Sequence, residues 1–321
     1  MIDKHSVFSI KDEVEFVKKA LEVFHFQREN CLVYKEYVRI LNKPEPTCIE
    51  EIPFLPISFF RTRKIITHDK KTEIVFKSSG TTDSERSQHF VADIELYKTS
   101  FLKSYEQFIG KPGEHVILAL LPNYLEQGDS SLVFMVDELI KKSDNSLSGF
   151  VLNDEQDLQI RYQAAKKMNL KCVIIGVSYA LLDLADKNID FSDAVIIETG
   201  GMKGRRKELI KEEIHAILKH GLRVETVLSE YGMTELLSQA YSMNDGKFKT
   251  PKWMKILIRD VYDPLTFESE GKLGGINIID LANMYSCSFI ATDDLGRKFS
   301  DYFTVSGRMD NSILRGCNLL V

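Results

Sequence analysis

Apolar side chains at Val14, Phe16, Val17, Ala20, Leu21 and Phe24 fall at mainly helical spacing among charges, which predicts helix across Lys11 to Leu41. Pro44 and Pro46 end that pattern. The apolar stretch Ile52 to Phe60, with Pro53 and Pro56, predicts an extended arm that runs into the core. From Thr72 to about Leu228 the period changes: short β-branched runs alternate with longer amphipathic stretches. The runs lie at Glu73 to Phe76, Val116 to Leu121, Cys172 to Val177, Ala194 to Glu198 and Val224 to Leu228. Strands written as continuous apolar runs are covered on both faces, so this alternation predicts an α/β fold, a mainly parallel sheet layered with helices. In such a sheet ligands collect at the carboxyl ends of the strands. Beyond Trp253 the pattern predicts strands alone, at Lys255 to Arg259, Gly274 to Ile279, Tyr285 to Ala291 and Tyr302 to Ser306, with polar turns at Asp263-Pro264 and Glu270-Gly271. The expected organisation is a helical N-terminal arm (1–70), an α/β core (71–250) and a β-rich C-terminal subdomain (251–321).

A chain of 321 residues can bury a sizeable core, and 44% hydrophobic with 28% charged residues exclude a disordered or fibrous class. Lys and Arg (42) nearly balance Asp and Glu (47), so the net charge of -5 supplies no field for gathering nucleic acid. The N-terminus carries no apolar leader and no stretch is long enough to span a membrane, so the expected location is cytoplasmic. Five scattered cysteines (Cys31, Cys48, Cys172, Cys287, Cys317) without a Cys-x-x-Cys pair argue for reduced thiols, not a disulfide framework or a zinc site.

After the strand at Glu73 to Phe76 come Ser78, Ser79, Gly80, Thr81, Thr82, Asp83 and Ser84. Backbone N–H groups and hydroxyls in such a run can converge on phosphate oxygens, and Gly80 permits close approach; a solvated turn has the same composition. A second segment, Ser229-Glu230-Tyr231-Gly232-Met233-Thr234-Glu235, follows the strand at Val224 to Leu228. A carboxylate such as Glu235 is a hard ligand suited to Mg²⁺ beside a triphosphate, and the Tyr231 ring offers a flat surface; a surface acid is the alternative for Glu235.

Together, Ser-Ser-Gly-Thr-Thr and Tyr-Gly-Met-Thr-Glu resemble the phosphate loop and adenylate-binding motif of the adenylate-forming superfamily, which includes acyl-CoA synthetases, luciferases and peptide-synthetase adenylation domains. The resemblance implies ATP and Mg²⁺ as cofactors. It implies that Thr234 contacts the α-phosphate, that Glu235 helps hold the metal, and that Gly232 and Met233 lie at the nucleotide. Three further segments occur in the superfamily's order. Ala291-Thr292-Asp293-Asp294-Leu295-Gly296-Arg297 resembles its Thr-Gly-Asp-Leu-Gly run, making Asp294 or its neighbour Asp293 the ribose anchor. Gly307-Arg308-Met309-Asp310 matches its Gly-Arg-x-Asp segment, with Arg308 at the nucleotide and Asp310 at a hinge. Glu198-Thr199-Gly200-Gly201-Met202 stands where the family lines the adenine pocket, with Gly200 and Gly201 packing on the ring.

Two departures narrow the resemblance. The loop has Asp83-Ser84-Glu85-Arg86-Ser87 in place of the usual Lys-bearing ending, which leaves Arg86 as its cation. The sequence stops at Val321, just past the hinge motif, where typical synthetases continue for roughly 100 residues into a small domain with a catalytic Lys. Leu121-Pro122-Asn123-Tyr124-Leu125-Glu126 with Ser130-Ser131-Leu132, and Pro53-Phe54-Leu55-Pro56-Ile57, are similar to the LuxE-type acyl-protein synthetases of bacterial luminescence. That family makes a fatty acyl-adenylate and moves the acyl group to its own cysteine for delivery to a partner reductase, which implies Cys317 as acceptor. A thiolate there has Arg315 two positions away; a packed, inert Cys317 is the other reading. His89 could polarise the attacking carboxylate or bond phosphate, or be structural. The expected activity is therefore ATP-dependent activation of a carboxylic acid, a fatty acid above all, with transfer to a protein thiol. The alternatives are an acyl-CoA ligase or carrier-protein loader of phenylacetate-CoA ligase type, and a nucleotide-binding module without turnover.

Overall fold

The computed structural model describes residues 3–68, 70–79, 86–121, 128–152, 154–200, 209–243 and 246–309. Asp12 accepts from the Glu15 N–H at 3.0 Å and starts α1 (Glu13–Asn30). The helix predicted from Lys11 to Leu41 breaks at Cys31, whose backbone is extended (φ -100°, ψ 106°), and resumes as α2 (Leu32–Leu41). The break turns Tyr34 inward, where its ring stacks on Phe289 at 6.0 Å and its hydroxyl donates to the Pro53 carbonyl at 2.7 Å. Asn42, left-handed at φ 47°, ends α2. There follow β1 (Leu55–Pro56), α3 (Phe59–Thr62), β2 (Ile74–Lys77), β3 (Gln88–Val91), α4 (Ile94–Phe108), β4 (His115–Leu120), α5 (Ser131–Ser143) and β5 (Gly149–Phe150). The chain continues through α6 (Glu155–Lys167), β6 (Lys171–Val177), α7 (Ser178–Ala185), β7 (Ala194–Thr199), α8 (Lys211–Leu222), β8 (Val227–Tyr231), β9 (Ala240–Ser242) and β10 (Phe248–Lys249). It closes with β11 (Met254–Arg259), β12 (Gly274–Asp280), β13 (Phe289–Lys298) and β14 (Phe303–Arg308).

Two compact units emerge, one of Met1–Tyr97, Glu235–Ser238 and Lys249–Val321, the other of Lys98–Thr234 and Gln239–Phe248. In the second, β5-β4-β6-β7-β8 form a parallel sheet in that order and β9 pairs antiparallel with β8. All six residues of β4 are buried, as are six of seven in β6, because helices cover both faces. Gly221 of α8 lies against the Ala185 carbonyl at the end of α7, so close that a Cβ there would collide with it. This α/β architecture with a mainly parallel sheet and a β-rich C-terminal part is the fold class expected from the apolar periodicity.

The first unit holds an antiparallel meander, β11-β12-β13-β14, with β1 added in parallel beside β13 and a separate β2–β3 hairpin. Pro56 has no N–H to donate, which suits the edge position of β1. The strand expected at Tyr285 to Ala291 begins only at Phe289 and extends to Lys298. The fully buried Gln27 of α1 takes over the preceding residues: its amide nitrogen donates to the carbonyls of Asn283 (3.0 Å) and Met284 (2.9 Å), and its oxygen accepts from the Ser288 N–H (3.0 Å). Those backbone groups are satisfied in a turn and have no need of a ladder. Among the described residues no helix is long and apolar enough to cross a membrane.

Candidate functional site

The hydroxyl-rich run is the connection of the β2–β3 hairpin, and its two ends are tied together. Ser78 N–H donates to the Ser87 carbonyl (3.0 Å), Ser87 N–H donates to the Ser78 hydroxyl oxygen (2.8 Å), and Arg86 Nε donates to the Ser78 carbonyl (2.6 Å). Ser79 is exposed just beyond this clamp. Gly80, Thr81 and Thr82 lie outside the described residues, as do Gly201 and Cys317. Arg86, expected as a phosphate cation, uses its Nε to close the foot of the loop.

Glu235 belongs to the same unit and is 5% exposed. Burial pushes its carboxyl above the usual carboxylate range, while the Ser87 hydroxyl that bonds it, its own backbone N–H and the charges of Arg308 and Arg61 pull the other way. The segment carrying Glu235 is held from two directions. Asn283 Nδ2 donates to the Glu235 carbonyl (2.7 Å), and the Asp280 carboxylate accepts from Leu237 N–H (2.8 Å), Ser238 N–H (3.0 Å) and the Ser238 hydroxyl (2.6 Å). Trp253 Nε1 donates to the same Ser238 hydroxyl oxygen at 2.9 Å. His89, on β3 and 1% exposed, reaches Asn283 Oδ1 at 3.0 Å. An amide oxygen only accepts, so His89 carries its proton on Nε2 and braces the residue that braces Glu235. Asp280→Ala would remove the acceptor of three buried backbone N–H groups, those of Leu237, Ser238 and Ala282, and is expected to cost about 3 kcal/mol of stability. Urea unfolding of variant and wild type checks this.

The β13–β14 ladder sets Asp294 opposite Arg308, with Oδ1 and Nε 3.4 Å apart. Of the two adjacent acids, Asp293 is exposed while the Asp294 side chain is 14% exposed. Behind them the buried Arg259 donates to the carbonyls of Thr292 (2.6 Å) and Ile276 (3.1 Å) and to Asn277 Oδ1 (2.8 Å). Its guanidinium crosses directly over Gly275, where any Cβ would collide with it.

The second unit carries the other expected residues at the carboxyl ends of its parallel strands. Gly200 follows β7 with φ +71°, a conformation that favours glycine, and its carbonyl lies 3.2 Å from the Ser178 hydroxyl. Tyr231 closes β8, buried with its ring edge-on to Phe248 at 5.8 Å. Gly232, Met233 and Thr234 follow it, all half-buried. Glu198 and Ser229 are register partners on one face of the β7–β8 ladder. There Glu198 accepts from Lys211 Nζ (2.7 Å), the Ser229 hydroxyl (3.0 Å) and the Ser178 hydroxyl, while His215 Nε2 sits 3.0 Å from the Ser229 oxygen. Because Ser229 donates its single proton to Glu198, His215 must donate to Ser229 through Nε2–H. Burial lowers the His215 pKa, against the pull of Glu198.

Asp280, Asn283, Arg259, Lys211 and His215 were not singled out from the sequence. One signal was present: the strands at Ala194–Thr199 and Val227–Tyr231 begin apolar and then carry the polar pairs Glu198-Thr199 and Ser229-Glu230. Polar pairs inside a buried strand must find partners or ligands.

No protein-family model and no curated protein matches the sequence. Solved structures do. A 2-hydroxyisobutyryl-CoA ligase in complex with R3-HIB-AMP aligns with TM-score 0.65 at 10% identity over 92% of this chain and 68% of its own. ATP-bound MatB from Rhodopseudomonas palustris gives 0.56 at 15%, over 75% and 50%. AMP-bound O-succinylbenzoate coenzyme A synthetase from Bacillus subtilis gives 0.50 at 18%, over 74% and 50%. The chain spans about half the length of the last two ligases. What it has in common with all three is architecture, and its fold is that of the large N-terminal domain of adenylate-forming enzymes.

Proposed function

We propose that this chain is an acid–thiol ligase that activates a carboxylic acid with MgATP as the acyl-adenylate and passes the acyl group to a thiol. The observation that carries the reading is the buried Glu235 carboxyl, in the same unit as the hydroxyl loop and on a segment pinned by Asn283 and Asp280. A magnesium ion on a triphosphate takes one or two carboxylates and completes its shell with phosphate oxygens and water. Glu235 fits that demand as a single buried carboxylate whose charge burial disfavours. Bound there, the ion supplies charge neutralisation of the phosphates.

In the first step a carboxylate oxygen of the acid attacks the α-phosphorus, the bond to the bridging oxygen breaks, and pyrophosphate leaves. Ser78, Ser79, Gly80, Thr81 and Thr82 bind phosphate oxygens, Thr234 contacts the α-phosphate, and Asp294 accepts from the ribose hydroxyls with Arg308 beside it. Gly200, Gly201, Tyr231, Gly232 and Met233 receive the base. His89 acts as a positioning residue, through Asn283, for the Glu235 backbone. In the second step a thiolate attacks the acyl carbonyl and AMP leaves. Cys317 is the proposed thiol, with a fatty acid as the proposed substrate and a reductase or carrier protein as the proposed destination. Coenzyme A is the second acceptor to weigh, because two of the structural neighbours are coenzyme A ligases by name.

The test is ATP–pyrophosphate exchange across a panel of acids, followed by location of the thioester. Acid-dependent exchange with label on the protein, lost in Cys317→Ser, is the expected result. Label on coenzyme A selects the other acceptor. ATP binding without exchange for any acid would overturn the reading.

A further inference from the structure

Opposite the Glu198 face, the β7–β8 ladder turns a second polar group inward. Thr199 and Glu230 are register partners, so they share a face, and the Thr199 hydroxyl donates to Glu230 Oε2. Gly232, two residues on, faces the same way. Having no side chain, it lets the Glu230 carboxyl lie over its Cα, where a Cβ would collide with Oε1. The β8–β9 ladder ends on the Tyr231–Ala240 pair, and one step further Gln239 comes alongside: its Cγ lies 3.3 Å from where a Gly232 Cβ would stand.

One acceptor in this patch has nothing to accept, and its neighbour has a single side-chain donor. Glu230 is 8% exposed, and Thr199 on Oε2 is its one side-chain hydrogen-bond partner among the described residues. Gln239 is 4% exposed and its Oε1 is buried with no partner. A buried acceptor left unpaired is destabilising, and such a group marks a missing partner. The charges that face Glu230 are Glu198, which opposes its ionisation, and Lys211, which favours it; burial is the largest influence and pushes the carboxyl up to about 7. The patch is therefore short of hydrogen-bond donors.

We propose that Glu230 and Gln239, over Gly232, form a buried subsite that takes the N–H or O–H donor group of a small-molecule ligand. The proposal rests on the ligase reading, which brings two molecules that can carry such a group: a purine base with its exocyclic amino group, and a carboxylic acid bearing an amino or hydroxyl substituent. The alkyl tail of an unsubstituted fatty acid supplies none and would leave Gln239 Oε1 unpaired. An ammonium group supplies donors and charge together.

Equilibrium binding by calorimetry to the full chain separates the sources. One arm compares AMP with the purine ribonucleotide that lacks the exocyclic amino group; the other compares alkanoates with their amino- and hydroxy-substituted counterparts over several chain lengths. In at least one arm the donor-bearing ligand is expected to bind roughly ten-fold or more tightly, and Gln239→Met is expected to remove that preference. Glu230→Gln is the second variant if Gln239→Met does not fold. The subsite is overturned if no donor-bearing ligand is preferred, or if a preference survives in the folded variant. Acid-dependent exchange with unsubstituted acids, together with equal binding of both nucleotides, would keep the ligase reading and remove the subsite.

Discussion

Glu235→Gln is expected to lower acid-dependent ATP–pyrophosphate exchange by about a hundred-fold or more while leaving the fold intact. The amide oxygen can still accept from Ser87, and removing a carboxyl whose ionisation burial opposes takes nothing from stability. What disappears is the negative charge: a neutral amide is a poor ligand for Mg²⁺, and a hundred-fold loss corresponds to about 2.7 kcal/mol of transition-state stabilisation. Exchange assays at saturating ATP, with urea unfolding as the control for folding, make the comparison. A variant within a few-fold of wild type would remove Glu235 from the metal site.

The second large effect is on stability and depends on pH. Glu230 has a folded-state pKa of about 7 against an ordinary 4.5, because it is buried beside Glu198. With the folded value raised, the native state holds a proton that the unfolded chain has released; the resulting stability is complete below about 4.5 and is lost as pH rises through about 7. Across that window the ligand-free protein should lose about 3 kcal/mol from this one group. Glu230→Gln cannot ionise and escapes the loss. The variant is therefore expected to be more stable than wild type at pH 8 by about 3 kcal/mol, with the difference shrinking towards pH 5. Denaturant titrations at both pH values decide it, and parallel pH profiles would refute it.

Much of the architecture was readable from the chain's own pattern. The parallel strands at His115–Leu120, Lys171–Val177 and Ala194–Thr199 fall within a residue or so of the apolar runs that announced them. Strands buried on both faces have to be apolar throughout, which makes them conspicuous. The interruption at Cys31 was not readable, because helical periodicity carries on across it. It is decided by Tyr34, which finds Phe289 and Pro53 only in the folded molecule. Likewise Tyr285 to Ser288 alternates as a strand would, but Gln27, 256 residues from Asn283, claims that turn's carbonyls.

The same division runs through the candidate site. Ser78 and Glu235 are legible from local chemistry together with a family resemblance, a hydroxyl run after a strand and an acid in a short motif, while Asp294 and Arg308 are what the resemblance of their segments implies. Composition and period sufficed for the fold class, since local conformation and burial are encoded in neighbouring residues. The tertiary structure alone decided which of Asp293 and Asp294 is shielded, that Asp280 and Asn283 hold the Glu235 segment, and that Glu230 is buried beside a Gln239 oxygen with no partner. The reason is physical: desolvation and hydrogen-bond satisfaction depend on every atom brought near a group, and most of those atoms come from distant parts of the chain.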